Sequence, residues 1–180
     1  MMDMPQRNLG LWFSLDTNRI NARQRDSQMN QLEAWYGKGV IDLYMSEPSA
    51  IEVKKGGAPQ RHKKLQEIGT IMLTFADTHE ERVLLRKISN ILFGRLPRNE
   101  NELRDVEIVF NAKKYPGSLI TEDTDILNKR HELKISLGLD VRQTSDAITL
   151  VQRRIKVRDN LARTVAAQTV AILPKWVGND

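Results

Sequence analysis

The sequence predicts a three-layer α/β/α domain built on a central, mostly parallel sheet. Short apolar runs alternate with segments of helical period along the whole chain. Each helical segment is long enough to cross back over a sheet, which parallel strand pairing requires. Glycine and proline stand where the helices should stop. No internal repeat, low-complexity stretch or long linker interrupts the 180 residues, so one domain spanning 1–180 is expected.

Leu11–Leu15 (LWFSL) reads as a buried strand, with Trp12 and Phe13 in the core. Asn18–Trp35 has helical period and is closed by Gly37 and Gly39. Val40–Met45 (VIDLYM) is a second strand. Ser46 then caps a short helix with Pro48 in its first turn. Residues 56–59 (GGAP) break that helix, and the basic stretch 61–68 (RHKKLQEI) follows. Thr70–Phe75 (TIMLTF) is a third strand, with Phe75 expected in the core. His79–Phe93 is a helix ended by Gly94 and Pro97, and Glu100–Lys114 another stopped by Pro116 and Gly117. Ser118–Thr121 (SLIT) is a strand, Asp123–Ser136 a helix, and Leu139–Arg142 the last strand. Thr144 or Ser145 caps a helical tail to about Leu173, with a fresh cap offered at Asp159 and Asn160.

Composition narrows the chemistry. Lys plus Arg number 28 and Asp plus Glu 23, giving a net charge of +5, which suits a polyanionic partner without requiring one. The absence of cysteine removes disulfides, thiolate nucleophiles and Cys-ligated metals. Three scattered histidines, His62, His79 and His131, suggest no His-rich metal site, and His62 and His79 read as surface residues. A metal would therefore be held by oxygen, which favours Mg²⁺ or Mn²⁺. No signal peptide and no apolar run of membrane-spanning length is visible, so a cytoplasmic protein with no membrane contact is expected.

In open parallel sheets, ligands bind beyond the carboxyl ends of the strands. Asp16 directly follows LWFSL, and Asp123 follows SLIT with Asp125 close behind. A carboxylate there can cap the next helix or hold a metal; two at equivalent places in one sheet point toward a site. The pieces FSLDTNRI (13–20), SAIEV (49–53), LRDVEIVFNAKKYPGSLITEDTDIL (103–127) and the Gly138–Leu139–Asp140–Val141 step resemble the PIN domain family. The family order is a strand ending in Asp, a Glu in a Ser/Thr-x-x-Glu setting, a helical Asp before a glycine turn, and a strand ending in Thr-x-Asp. The resemblance runs from about residue 11 to residue 146.

That resemblance implies a metal-dependent nuclease acting on RNA. It assigns Asp16, Glu52, Asp105 and Asp123 as the catalytic acids, with Asp125 as an accessory metal ligand. Asn18 and Thr121 would tune those acids by hydrogen bonds. Glu47 competes with Glu52 for the second acidic position, because the phase of the helix at 46–55 is open. Taken singly, Glu52 and Asp105 also read as solvated helix charges. The implied ion is Mg²⁺ or Mn²⁺, and the implied reaction is hydrolysis of a phosphodiester by an activated water. Many family members of this size are toxins of bacterial toxin–antitoxin pairs of the VapC type, which adds an antitoxin protein to the implied partners. The alternative is a PIN-fold module that binds nucleic acid or assembles without catalysis. A small-molecule enzyme of flavodoxin or response-regulator type ranks last, lacking a suitably placed lysine.

Cations for an RNA backbone are available. Lys54 and Lys55 follow Glu52, Arg61, Lys63 and Lys64 cluster next, and Arg153, Arg154, Lys156 and Arg158 lie in the tail. Each cluster also reads as a solvated helix face. Tyr36, Tyr44 and Tyr115 can stack on bases but sit at the edges of apolar runs. The tail from about residue 145 carries two apolar stripes, Ile148, Val151 and Ile155, then Leu161, Ala162, Val165, Ala166 and Ile172. They can pack on the sheet, form a homodimer surface, or seat a partner helix.

Overall fold

A computed structural model describes residues 3–20, 24–55, 59–68 and 70–180. Five strands, β1 (Trp12–Leu15), β2 (Asp42–Ser46), β3 (Ile71–Met72), β4 (Ser118–Ile120) and β5 (Asp140–Arg142), form one sheet in the order β3-β2-β1-β4-β5. Every pairing is parallel. The chain builds β1, β2 and β3 toward one edge, then returns to the other side of β1 for β4 and β5. The strand order therefore reverses between β1 and β4, the place where open α/β sheets form a binding crevice.

Two cores cover the two faces. Phe13, Leu15, Leu43, Met45 and Ile120 pack with Met29, Leu32, Val53, Leu65 and Val151 from α1 (Ser27–Gly37), α2 (Glu47–Lys55), α3 (Pro59–Ile68) and α8 (Thr144–Thr169). Leu119 and Val141 pack on the opposite face with Ile88, Val109, Phe110, Ile126 and Leu133. These come from α4 (His79–Phe93), α5 (Glu100–Lys114), α6 (Thr124–Asn128) and α7 (Arg130–Leu137). Strand neighbours such as Leu119 and Ile120 divide between the two cores, as the alternation of side chains across a sheet demands. The three-layer α/β/α expectation is met.

Several boundaries differ from expectation for local reasons. The helix predicted from Asn18 starts only at Ser27: Thr17–Arg19 forms a single 3₁₀ turn, residues 21–23 lie outside the described residues, and Asp26 caps α1 by accepting from the Gln28 and Met29 amides. The break predicted at 56–59 falls largely on the undescribed residues 56–58, and Pro59 opens α3 over the basic stretch. The helix predicted over Asp123–Ser136 divides at Lys129 into α6 and α7. Thr144 is the first residue of α8 rather than its cap; the Glu122 carboxylate accepts from its amide and its hydroxyl instead. No fresh start occurs at Asp159, because α8 runs unbroken to Thr169.

The third strand shrinks to Ile71–Met72 at the sheet edge, and Phe75, expected in the core, is 50% exposed. Trp12 is likewise 37% exposed, leaning on Tyr44 with ring centroids 6.5 Å apart, while Phe13 is buried as expected. Tyr44 itself is wholly buried and unavailable for stacking on bases. Tyr36 and Tyr115 spend their hydroxyls on the carbonyls of Ile68 and Leu73. The tail splits its roles. Ala147 and Val151 join the sheet core, whereas Val157, Leu161, Val170 and Ile172 are exposed.

Candidate active site

β1 and β4 are hydrogen-bonded neighbours with Leu15 opposite Ile120, so the residues just beyond them, Asp16 and Thr121, emerge side by side. The Asp16 amide bonds to the Ile120 carbonyl at 3.1 Å, which extends the pairing one residue and fixes where the Asp16 side chain leaves the sheet. Its carboxylate is buried, with 6% of the residue exposed. Oδ2 accepts a 2.6 Å hydrogen bond from the Thr121 hydroxyl and a 2.9 Å bond from Asn18 Nδ2.

Thr121 does double duty. Its hydroxyl donates to Asp16 and accepts from the Asp123 amide at 2.9 Å. Asp123 then caps α6, Oδ1 accepting from the Asp125 and Ile126 amides at 2.9 and 3.0 Å. Capping and facing a site are thus not alternatives here. One oxygen holds the helix start while the side chain still lines the crevice.

A cavity of about 360 Å³ opens at this end of the sheet. Asp16, Glu52, Asp105 and Asp123 all line it, together with Thr17, Asn18, Arg61, Asn101, Arg104 and Ile108. Four carboxylates from four segments thus share one space. Glu52 comes from α2 and Asp105 from α5, two helices that pack together. Glu47 is turned elsewhere, accepting from the Thr74 amide at 3.1 Å. Five residues of helix rotate a side chain by about 140°, so Glu47 and Glu52 face different neighbours. Asp125 is exposed and outside the lining.

The acids feel one another. Burial, then the charges of Asp123, Asp16, Asp125 and Glu52, push the Asp105 carboxyl up to about 7. Burial also raises Asp16, against the Thr121 hydroxyl and the Thr17 amide, which hold it down; Asp123 and Glu52 raise it further. Among the described residues, no three acidic or histidine side chains stand close enough to form a ready-made metal-binding group. The donor set nonetheless suits a hard divalent cation, because it is all oxygen and, among the described residues, only Glu52 of the four acids has an ion-pair partner, Arg104 at 3.5 Å.

The predicted cations divide. Arg61 lines the cavity, and Lys54, Lys55 and Lys63 are exposed nearby in sequence. Lys64 does not fit an RNA-binding role: it is buried, and its ammonium pairs with Glu33 at 2.7 Å and Glu67 at 3.1 Å. Arg158 is likewise withdrawn, pairing with Asp159 and Asp180 and stacking 4.2 Å from the Trp176 ring centre. Arg153 and Arg154 are exposed on α8, Arg153 beside a separate cavity with Arg142 and Asp146.

Asn101 and Arg104 were not anticipated. A signal for Asn101 was present: Asn101, Asp105 and Ile108 follow i, i+4, i+7 and share one face of α5. Arg104 is detectable only through its 3.5 Å approach to Glu52 across two helices.

No protein-family model matches the chain, and no curated protein sequence matches it. Among solved structures, the chain is similar to one from VapBC-1 of nontypeable Haemophilus influenzae, at 19% identity and a TM-score of 0.49, over 75% of this chain and 99% of that one. It is similar also to one from VapBC2 of Rickettsia felis bound to a DNA fragment from their promoter, at 11% identity and a TM-score of 0.48, over 74% and 98%.

Proposed function

We propose that this chain is a metal-dependent endoribonuclease of the PIN type, hydrolysing phosphodiester bonds of single-stranded RNA. One observation carries the reading. Asp16, Glu52, Asp105 and Asp123, scattered over more than half the sequence, line a single cavity at the switch point of a parallel sheet. Their mutual repulsion makes the site costly unless a cation shares it. When bound, Mg²⁺ or Mn²⁺ supplies charge neutralisation at the phosphate and activation of water near neutral pH.

The chain's own groups would do the rest. Thr121 and Asn18 hold Asp16 in one orientation, so that its oxygens point to a fixed place. Asp105 and Asp123 would complete the cation's oxygen shell, and Glu52, whose side chain is 42% exposed, would orient or deprotonate the attacking water. Closing this set round an ion requires rotation of the half-exposed side chains. Arg61 would bind a backbone phosphate at the rim. In the toxin setting that the resemblance implies, an antitoxin protein and a second copy of the chain are the expected partners.

The test is a titration of the wild-type protein with Mn²⁺. A rise in melting temperature, together with cleavage of single-stranded RNA that EDTA stops, is expected. The lack of a preassembled ligand group among the described residues favours a second reading, a nucleic-acid-binding module without catalysis. RNA binding with no Mn²⁺ response and no cleavage would select it.

The cation assignments make a separable prediction. Arg61→Ala should weaken binding of a single-stranded oligonucleotide by ~3–10-fold and lower the slope of log affinity against log salt by about 0.7. Lys64→Gln should leave both unchanged, because that ammonium is already committed to Glu33 and Glu67. Fluorescence anisotropy over a salt series reads both.

A further inference from the structure

The cavity mixes two chemistries. Beside its four carboxylates stand two guanidiniums, Arg61 and Arg104, and the Asn101 amide. Arg104 is the residue that joins the sets: its Nη1 lies 3.5 Å from Glu52 Oε1. That contact is long for a hydrogen bond. Arg95 offers a contrast within the same protein, gripping Glu102 through two nitrogens at 2.6 and 2.8 Å. The Arg104 side chain is only 21% exposed, so most of its apolar stem is fixed while the guanidinium stays in the cavity. Burial raises the Glu107 carboxyl, and the Arg104 charge opposes that rise.

A guanidinium held loosely among acids is an internal counter-ion. It also carries the planar fork that matches a phosphate's oxygens. We propose that Arg104 exchanges partners: it neutralises Glu52 while the cavity lacks a cation, and grips a phosphate of the bound nucleic acid once Glu52 turns to the cation. This rests on the nuclease reading above and names a substrate-binding residue within it. Arg104 sits one residue before Asp105 on α5. The residue that would hold the phosphate and an acid that would hold the cation thus share one turn of helix.

The two roles predict effects of opposite sign for one substitution. Arg104→Gln removes a positive charge that competes with the cation, so Mn²⁺ binding measured by calorimetry should tighten by roughly two- to fivefold. The same variant should bind a single-stranded RNA oligonucleotide, with Ca²⁺ as the cation and the RNA verified intact, at least tenfold more weakly. Its salt slope should fall by about 0.7. Arg104→Lys, which keeps the charge and loses the fork, should restore the Mn²⁺ affinity and the salt slope but only part of the RNA affinity. Circular dichroism establishes that each variant is folded.

If wild type binds no Mn²⁺, the nuclease reading and this proposal fall together. If wild type binds Mn²⁺ and Arg104→Gln changes neither affinity, the pair with Glu52 is ordinary surface electrostatics and this proposal alone is overturned. A tightened Mn²⁺ affinity with unchanged RNA binding also overturns it, leaving Arg104 a counter-ion only.

Discussion

Asp105→Asn is expected to stabilise the cation-free protein at pH 8 while abolishing its response to Mn²⁺. The reason is the environment of the carboxyl. Burial and four surrounding acids hold it up to about 7, well above an aspartate in an unfolded chain. The folded state therefore keeps a proton through a range where the unfolded state has released it. Stability contributed by that proton is full below pH 4 and is lost as pH rises toward 7. Above pH 7 the wild type carries an extra buried charge that the amide lacks. Because the carboxyl is only half-buried, water screens part of the penalty, leaving roughly 1–2 kcal/mol, or about 3–6 °C in Tm.

Thermal unfolding in EDTA should show the variant ahead at pH 8 and the two proteins converging by pH 4. Adding Mn²⁺ should lift wild type past the variant, and RNA cleavage by the variant should fall at least ~10²-fold. Equal melting temperatures at pH 8 with an equal Mn²⁺ response would remove Asp105 from the site. A gain in stability from deleting a site residue is what a group kept for chemistry predicts, since a group kept for folding would cost stability when removed.

The parts of this fold that were legible in sequence are those decided locally. Phe13 and Leu15, and Leu119 and Ile120, sit in runs apolar enough to be buried whichever way they face. α5 was bounded well because Asn99 supplies a cap at one end and Pro116 and Gly117 a stop at the other. The ends of α1 and α6 were not, because their limits depend on Asp26 and Lys129 geometry that helical period does not encode. Phe75 and Trp12 look like core in a hydropathy reading, yet they lie at an edge and at a strand's start, where the sheet runs out of cover.

The site divides in the same way. Asp16, directly after β1, and Asp123, three residues beyond the end of β4, are singled out by their position near strand ends together with the family resemblance. Helical period does not separate Glu52 from Glu47, whereas the docking of α2 does: Glu47 accepts from the Thr74 amide and Glu52 lines the cavity. Lys64 looked like one more cation in a basic run; Glu67 stands three residues on along α3, but its pairing with Glu33 on α1 is revealed only by the fold. Arg104 carried no signal of its own, since a lone arginine on a charged helix is unremarkable until the facing residue is known.

Thr121 offers the sharpest test of how the acids are coupled. Its hydroxyl is both the donor to Asp16 Oδ2 at 2.6 Å and the acceptor from the Asp123 amide at 2.9 Å. Thr121→Val keeps the shape and removes both bonds. Asp16 then retains Asn18 and the Thr17 amide but loses the hydroxyl that opposes its burial, so its carboxyl should rise further. The Asp123 amide loses its partner in a partly buried place, and the two effects together should cost about 1–3 kcal/mol of stability. Cleavage at neutral pH should fall ~10–100-fold, the range seen when a residue that orients a metal ligand is removed. The acidic limb of the pH–rate profile should also move to higher pH, because more alkaline conditions are then needed to ionise Asp16. Thr121→Ser, which keeps the hydroxyl and sheds the methyl, should hold the wild-type limb even if it loses some stability. A lower rate with an unmoved limb in Thr121→Val would mean that the hydroxyl only supports the turn after β4. A shifted limb restored by serine would tie Asp16 ionisation to the step that cleaves RNA.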